Sequence, residues 1–121
     1  MEMVGAIIVT HDSLGEALLN SIFAIMGPQE KVINVNNREY SAENLRQVTS
    51  KYIELYEECI LFVDFYGSTF AAAKAAAEDL PIISGVNLPM LLSFFNKRQN
   101  LELKILAETV SADGKRGIVI R

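Results

Sequence analysis

Two stretches of the sequence decide the fold: Val4-Gly5-Ala6-Ile7-Ile8-Val9 and Cys59-Ile60-Leu61-Phe62-Val63. Both are uninterrupted apolar runs rich in β-branched residues, the pattern of central strands in a parallel sheet that is covered on both faces. Between them, Val32-Ile33-Asn34-Val35 alternates apolar residues with asparagine, which is typical of a strand nearer an edge. Two further runs, Pro81–Val86 and Ile118–Ile120, complete a set of five predicted strands.

A helical pattern follows the first predicted strand. Ser13 and Glu16 have the spacing of a capping box, in which each side chain bonds a main-chain amide of the other end of the turn. The residues after Ser13 recur at helical spacing, and Gly27-Pro28 ends the pattern. The predicted buried face consists of Leu14, Ala17, Leu18, Ser21, Ile22 and Ile25.

Four more helices are expected between and after the remaining strands. Ser41 caps the second, the third spans about Phe70–Glu78, Asn87 caps the fourth, and a weaker fifth covers about Leu101–Val110. Strands that alternate with helices predict a doubly wound α/β domain with right-handed crossovers. We therefore expect one domain over residues 1–121, with a mostly parallel sheet of four to five strands and helices on both faces.

Composition excludes several classes of protein. The chain has 121 residues, of which 50% are hydrophobic and 21% charged, so it is long enough for one packed core. Its formal charge of −4, with no basic cluster longer than two residues, argues against a nucleic-acid partner. No apolar run approaches the ~20 residues of a membrane helix. The single cysteine, Cys59, cannot pair within the chain, and together these features predict a soluble cytoplasmic protein.

The candidate functional residues follow the strands, because ligands of doubly wound sheets bind beyond the carboxyl ends of the strands. His11, the only histidine, comes after the first strand, and Asp64 comes after the third. If these strands are neighbours, the two side chains lie close together. A carboxylate bonded to one ring nitrogen would leave the other free as a nucleophile. Alternatively, His11 is an ordinary loop histidine and Asp64 caps the next helix.

Gly67-Ser68-Thr69 opens the third predicted helix. Main-chain amides and hydroxyls at a helix start can bind phosphate, although Ser and Thr are also common helix caps. With one histidine and scattered acids, the sequence predicts no metal site and no cofactor.

Four segments together carry a resemblance to a known family. They are Thr10-His11, Leu61-Phe62-Val63-Asp64 with its Gly-Ser turn, Gly85-Val86-Asn87-Leu88-Pro89-Met90-Leu91, and Gly114-Lys115-Arg116-Gly117-Ile118. In this combination the sequence resembles, over nearly its whole length, the enzyme IIA domain of the mannose-type sugar phosphotransferase system.

The resemblance implies a phosphoryl carrier. His11 would accept a phosphoryl group through Nε2 from the phosphocarrier protein HPr and pass it to a IIB domain, which serves the membrane components IIC and IID. Asp64 would bond the other ring nitrogen, and Ser68 would contact the phosphate. The resemblance also implies a homodimer in which the C-terminal strand, here Ile118–Ile120, is exchanged between subunits.

The sequence departs from the family pattern at two places. The family loop reads Asp-x-x-Gly-Gly-Ser-Pro, whereas Asp64–Phe70 lacks one glycine and the proline, so that either Ser68 or Thr69 could be the phosphate contact. The glycine that usually follows the histidine is Asp12 here, whose carboxylate would repel a phosphate unless it points away.

Three other interpretations of the sequence compete with a phosphoryl carrier. A receiver domain would need acidic Mg²⁺ ligands after the first strand, where only Asp12 stands beside His11. A flavodoxin or dinucleotide-binding module would need a phosphate loop or a Gly-x-Gly-x-x-Gly motif there. The third is a phosphorylated regulatory subunit that acts on a kinase or another protein, as in the dihydroxyacetone kinase system. The sequence does not specify which sugar is transported.

Overall fold

The computed structural model describes residues 3–121; Met1 and Glu2, which the domain prediction includes, lie outside the described residues. In the part described, four strands form one sheet in which every neighbouring pair is parallel, in the order β2-β1-β3-β4. The strands are β1 Gly5–Thr10, β2 Val32–Asn36, β3 Cys59–Val63 and β4 Ile82–Ser84.

Five helices cover the two faces of this sheet, and a short 3₁₀ turn, Asn37–Glu39, follows β2. The helices are α1 Leu14–Met26, α2 Ala42–Ile53, α3 Ser68–Ala77, α4 Leu88–Lys97 and α5 Leu103–Arg116. Alternate residues of β1 point into two separate cores. Ala6 and Ile8 contribute to the core under α1, α4 and α5, while Ile7 and Val9 contribute to the core under α2 and α3. The predicted doubly wound α/β fold is therefore confirmed.

The strands take the places that their patterns predict. β1 and β3 are buried at every residue and lie side by side in the middle of the sheet. β2, which alternates with asparagine, lies at one edge and is only partly buried. The caps predicted for α2 and α4 also form, because Ser41 accepts a bond from the Asn44 amide and Asn87 accepts one from the Met90 amide.

The cap predicted for α1 is wrong, and so is most of the predicted buried face. The Ser13 side chain makes no capping bond, and Leu14 and Ile25 are 45% and 60% exposed. Of the predicted face, Ile22 is fully buried and Leu18 partly buried; the other buried residues are Gly15 and Leu19. The helix is rotated by one position because Gly15, which has no side chain, lies directly on the sheet.

The C-terminal end differs from the prediction in two ways. α5 runs to Arg116, six residues beyond the predicted end. The tail that follows, Ile118–Ile120, is not a strand in the single chain: its side chains are 77%, 81% and 95% exposed. A strand needs a partner for its main-chain groups, and none of the described residues pairs with the tail. No described helix is both long enough and apolar enough to cross a membrane.

Candidate functional site

The site lies at the carboxyl ends of β1 and β3. These strands pair with Val9 opposite Val63, so the residues that follow them emerge together. Asp64 Oδ2 accepts two hydrogen bonds from His11, one from the main-chain amide at 2.7 Å and one from the ring Nδ1 at 2.8 Å. The predicted proximity of these two residues is therefore observed.

This contact fixes the state of the imidazole. An ionised carboxylate only accepts hydrogen bonds, so Nδ1 carries a proton, and in the neutral ring Nε2 keeps its lone pair. The His11 side chain is 39% exposed, whereas that of Asp64 is 8% exposed. The arrangement presents one nucleophilic nitrogen near the surface and keeps its carboxylate partner away from solvent.

The carboxylate of Asp64 is held in its ionised form. Burial alone would raise the pKa of this carboxyl, but the bonds from the amide and ring of His11 and from the Phe65 amide outweigh it. The pKa of Asp64 therefore lies below its ordinary value.

Two further donors complete the surroundings of this carboxylate. Asp64 Oδ1 accepts a bond from its neighbour's amide, that of Phe65, at 3.0 Å, and one from Thr69 Oγ1 at 3.1 Å. Thr69 is fully buried, whereas Ser68 is exposed. Of the two hydroxyl residues predicted as phosphate contacts, Thr69 turns its hydroxyl inward to Asp64, and Ser68 is the exposed one.

The start of α3 offers main-chain donors of the kind that bind anions. The cap residue of α3 is Gly67, which has no side chain to accept hydrogen bonds from the first amides of the helix. Amides of this kind can bind an anion. The glycine also makes room for its neighbour, because a Cβ at position 67 would lie 2.5 Å from the ring of Phe65.

Phe65 is a site residue that sequence reasoning did not single out. Its ring stacks on His11 with 4.9 Å between ring centroids and 25° between planes. It covers one face of the imidazole and is itself 53% exposed. The signal was its position directly after Asp64, but whether an aromatic ring there turns toward the histidine depends on the backbone of the loop.

Asp12 is bound to the turn after β2, and its carboxylate is paired with an arginine. Its carboxylate accepts a bond from Arg38 at 3.0 Å, and its amide donates to Asn37 Oδ1 at 3.1 Å. Its φ of +51° lies in the left-handed region, which glycine favours and aspartate tolerates. Sequence reasoning missed Asn37 and Arg38, although both follow a strand that neighbours β1.

The single cysteine lies away from this site. Cys59 begins β3 opposite Gly5, at the far end of the strands from His11, and burial raises the pKa of its thiol to about 11. It is therefore not a nucleophile for this site. Within residues 3–121, no three His, Cys, Asp or Glu side chains group as metal ligands would.

Comparisons with known proteins give consistent matches. A sequence model of the family described as EIIA-man, PTS system fructose IIA component, matches residues 5–111. The PTS system fructose-specific EIIA component of Bacillus subtilis (strain 168) is 32% identical over 120 residues, which cover 91% of this chain and 81% of that protein. The phosphotransferase system component EIIA of Streptococcus agalactiae has the same fold, with a TM-score of 0.87, 27% identity, and 98% and 97% of the two chains covered. The mannose/sorbose-specific IIA subunit of Enterococcus faecalis, at 16% identity, shares the fold with a TM-score of 0.77 over 98% and 95% of the chains.

Proposed function

The chain belongs to the mannose-type EIIA family of the sugar phosphotransferase system, and from this membership we propose that it carries a phosphoryl group on Nε2 of His11. The group comes from the phosphocarrier HPr and goes to a IIB component, which serves the membrane components IIC and IID. The observation that carries the proposal is the 2.8 Å contact between His11 Nδ1 and Asp64 Oδ2, which favours the neutral tautomer with a free lone pair on Nε2, in a side chain that is partly exposed.

The proposed reaction exchanges one P–N bond for another. The Nε2 lone pair attacks the phosphorus atom of the donor's phosphohistidine, and the donor's P–N bond breaks so that its nitrogen recovers the electron pair. Because Nδ1 keeps its proton, the ring of His11 gains positive charge as Nε2 bonds phosphorus. The buried carboxylate of Asp64 lies where it stabilises that charge. Transfer onward reverses these steps.

The oxygens of the phosphoryl group need donors, and we assign them to the start of α3. The amides that begin at Gly67, the exposed hydroxyl of Ser68 and the positive end of the helix dipole would serve here. Arg38 neutralises Asp12, which reduces repulsion between that carboxylate and an approaching phosphoryl group.

We also propose that the protein is a homodimer. The tail Ile118–Ile120 exposes three apolar, β-branched side chains. Among the described residues, β4 is an edge strand that pairs only with β3. An exchanged tail would cover both. Sedimentation of the full chain and of a chain ending at Gly117 tests this: a full chain that is monomeric at micromolar concentration would exclude the exchange.

A phosphotransfer assay tests the carrier function. The protein is mixed with phosphoenolpyruvate, enzyme I and HPr, and intact mass reports one acid-labile phosphoryl group. His11→Ala removes the only histidine, so the added mass should disappear while the circular dichroism spectrum is unchanged. A folded wild-type protein that gains no phosphoryl group, beside a working EIIA control, would refute the proposal.

The acceptor distinguishes a carrier from a regulatory subunit. Transfer to a IIB component supports the carrier, whereas transfer only to a kinase subunit would favour a regulatory role like that of the dihydroxyacetone kinase system. The matching family description and the Bacillus relative are both named for fructose, so a fructose-system IIB is the first acceptor to test.

A further inference from the structure

We propose that Thr69 is a positioning residue, whose hydroxyl holds the Asp64 carboxylate in the orientation that keeps His11 in its Nδ1–H form. This inference rests on the proposed role of His11 and extends it. Thr69 does not touch the reacting nitrogen; it acts through Asp64, which it contacts at 3.1 Å.

The hydrogen bonds of the carboxylate show what Thr69 contributes. Oδ2 accepts both bonds from His11, and Oδ1 accepts the bonds from Phe65 and Thr69. The Phe65 amide is exposed and comes from the adjacent residue, so it constrains the carboxylate weakly. Thr69 comes from the first turn of α3 and is fully buried. It is the buried donor that fixes the rotation of the carboxylate on the side opposite His11.

The direction of this bond separates it from ordinary helix capping. A capping hydroxyl accepts a bond from a main-chain amide at the helix start. The hydroxyl of Thr69 lies inside the helix, one residue after its first, and donates to a carboxylate. Counted from the aspartate, Thr69 stands where the family loop Asp-x-x-Gly-Gly-Ser-Pro has its serine. The resemblance assigns that serine to the phosphate, whereas the hydroxyl of Thr69 is bonded to the carboxylate.

The consequence falls on the tautomer of His11. Without the Thr69 donor, the carboxylate can rotate about its Cβ–Cγ bond, and the bond that the ring Nδ1–H donates to Oδ2 weakens. A neutral imidazole then populates the form with its proton on Nε2, which has no lone pair there for phosphorus.

Thr69→Val tests the proposal because valine keeps the shape and loses the hydroxyl. The first readout is the ¹⁵N spectrum of the His11 ring near neutral pH, which separates the two tautomers. We expect one tautomer, Nδ1–H, in the wild type and a mixture in the variant. The second readout is loading by phosphoramidate, a small donor that needs no HPr. Its rate should fall about tenfold, the equivalent of one lost hydrogen bond.

Two further variants make the comparison specific. Thr69→Ser restores the hydroxyl and should restore both readouts. Thr49→Val is the matched control: Thr49 is also fully buried, but its hydroxyl has no partner and it lies on α2. It should change neither readout. If Thr69→Val does not fold, Thr69→Ala, with a better helix former, takes its place.

Each outcome decides the inference. A single Nδ1–H tautomer with a wild-type loading rate in folded Thr69→Val or Thr69→Ala would overturn it, and so would an equal change in Thr49→Val. Because the ring spectrum needs no protein donor, it stays informative if wild-type protein takes no phosphoryl group from HPr. That second result would refute the proposed function and leave the role of Thr69 in holding Asp64 intact.

Discussion

Replacing Asp64 with asparagine tests the central contact of the site with almost no change of shape. The aspartate accepts four hydrogen bonds, two on each oxygen. Asparagine has one oxygen that accepts and one amide nitrogen that only donates. Two of the four donors therefore lose their acceptor, and the orientation of the amide decides which two.

The structure ranks the two orientations. With its nitrogen toward His11, the new amide would leave the partly buried main-chain N–H of His11 unpaired, at about 1–3 kcal/mol, and would force the ring proton onto Nε2. With its oxygen toward His11, both bonds from that residue remain. The hydroxyl of Thr69 can turn to accept, and the exposed amide of Phe65 can bond water. The second orientation is favoured, so Nδ1 keeps its proton in Asp64→Asn.

The loss is then one of charge. Hydrogen bonds to a charged group contribute about 1.5–3 kcal/mol and neutral ones about 0.5–1.5, so each of the two His11 bonds weakens by about 1–1.5 kcal/mol. The free energy of unfolding should fall by about 2–3 kcal/mol. The share of the ring bond, which stabilises the phosphorylated imidazole, should slow loading about tenfold, because 1.36 kcal/mol corresponds to a factor of ten.

Single-turnover loading by phospho-HPr, quenched and weighed by intact mass, measures the rate, and urea unfolding measures stability. Asp79→Asn is the control, since it removes the same charge from an exposed residue outside the site. A loading rate within twofold of wild type, with unchanged stability, would show that Asp64 does not hold His11. A loss of more than a thousandfold with the proton on Nε2 would show that the ranking of the amide orientations is wrong.

Two further predictions concern stability. Because the pKa of Asp64 is lowered in the folded protein, its contribution to the free energy of unfolding is complete above the ordinary pKa of about 4 and is lost as pH falls through the lower folded value. Asp64→Asn should lack this part of the acid dependence of stability. Parallel pH profiles of the urea midpoints of the two proteins would contradict this prediction. Gly15→Ala would place a Cβ 2.3 Å from Asn34 Oδ1, so we expect a loss of about 1–3 kcal/mol despite the better helix propensity of alanine. Asn20→Ala, on the exposed side of the same helix, should not destabilise, and a stabilised Gly15→Ala would contradict the packing described.

The parts of the fold that sequence predicts best are those set by continuous apolar runs. Val4–Val9 and Cys59–Val63 identify the central strands because only a strand buried on both faces lacks polar residues. The face of α1 is mispredicted in part because periodicity weighs large apolar side chains, whereas Gly15, which has none, packs directly against β1 and β2. The tail Ile118–Ile120 has the composition of a strand, but composition does not supply the neighbouring strand it needs.

In the site, the sequence predicts the residues that follow each strand, but not the contacts that depend on the conformation of the loops. His11 and Asp64 follow from the strand-end rule once their strands are neighbours. The stacking of Phe65 depends on the space that Gly67 leaves, and the Asp12–Arg38 pair depends on the left-handed backbone of Asp12. Neither is written in the residue pattern. The inward turn of the Thr69 hydroxyl likewise depends on where the first turn of α3 begins.

Asp64 accepts two hydrogen bonds from His11, one from its amide and one from its ring, and these bear on how the loaded and empty chains differ. Neither bond involves Nε2, so under the proposed function both can persist when the phosphoryl group arrives, and neither bond requires the loop to rearrange. If the site does not rearrange, no free energy of phosphoryl transfer from the donor is spent on a conformational change. Each exchange then stays reversible, and the supply and consumption of phosphoryl groups at the two ends of the relay set the direction of flow. Under the proposed function, a full and an empty carrier would then differ, for the proteins before and after it, in the group itself and its negative charge.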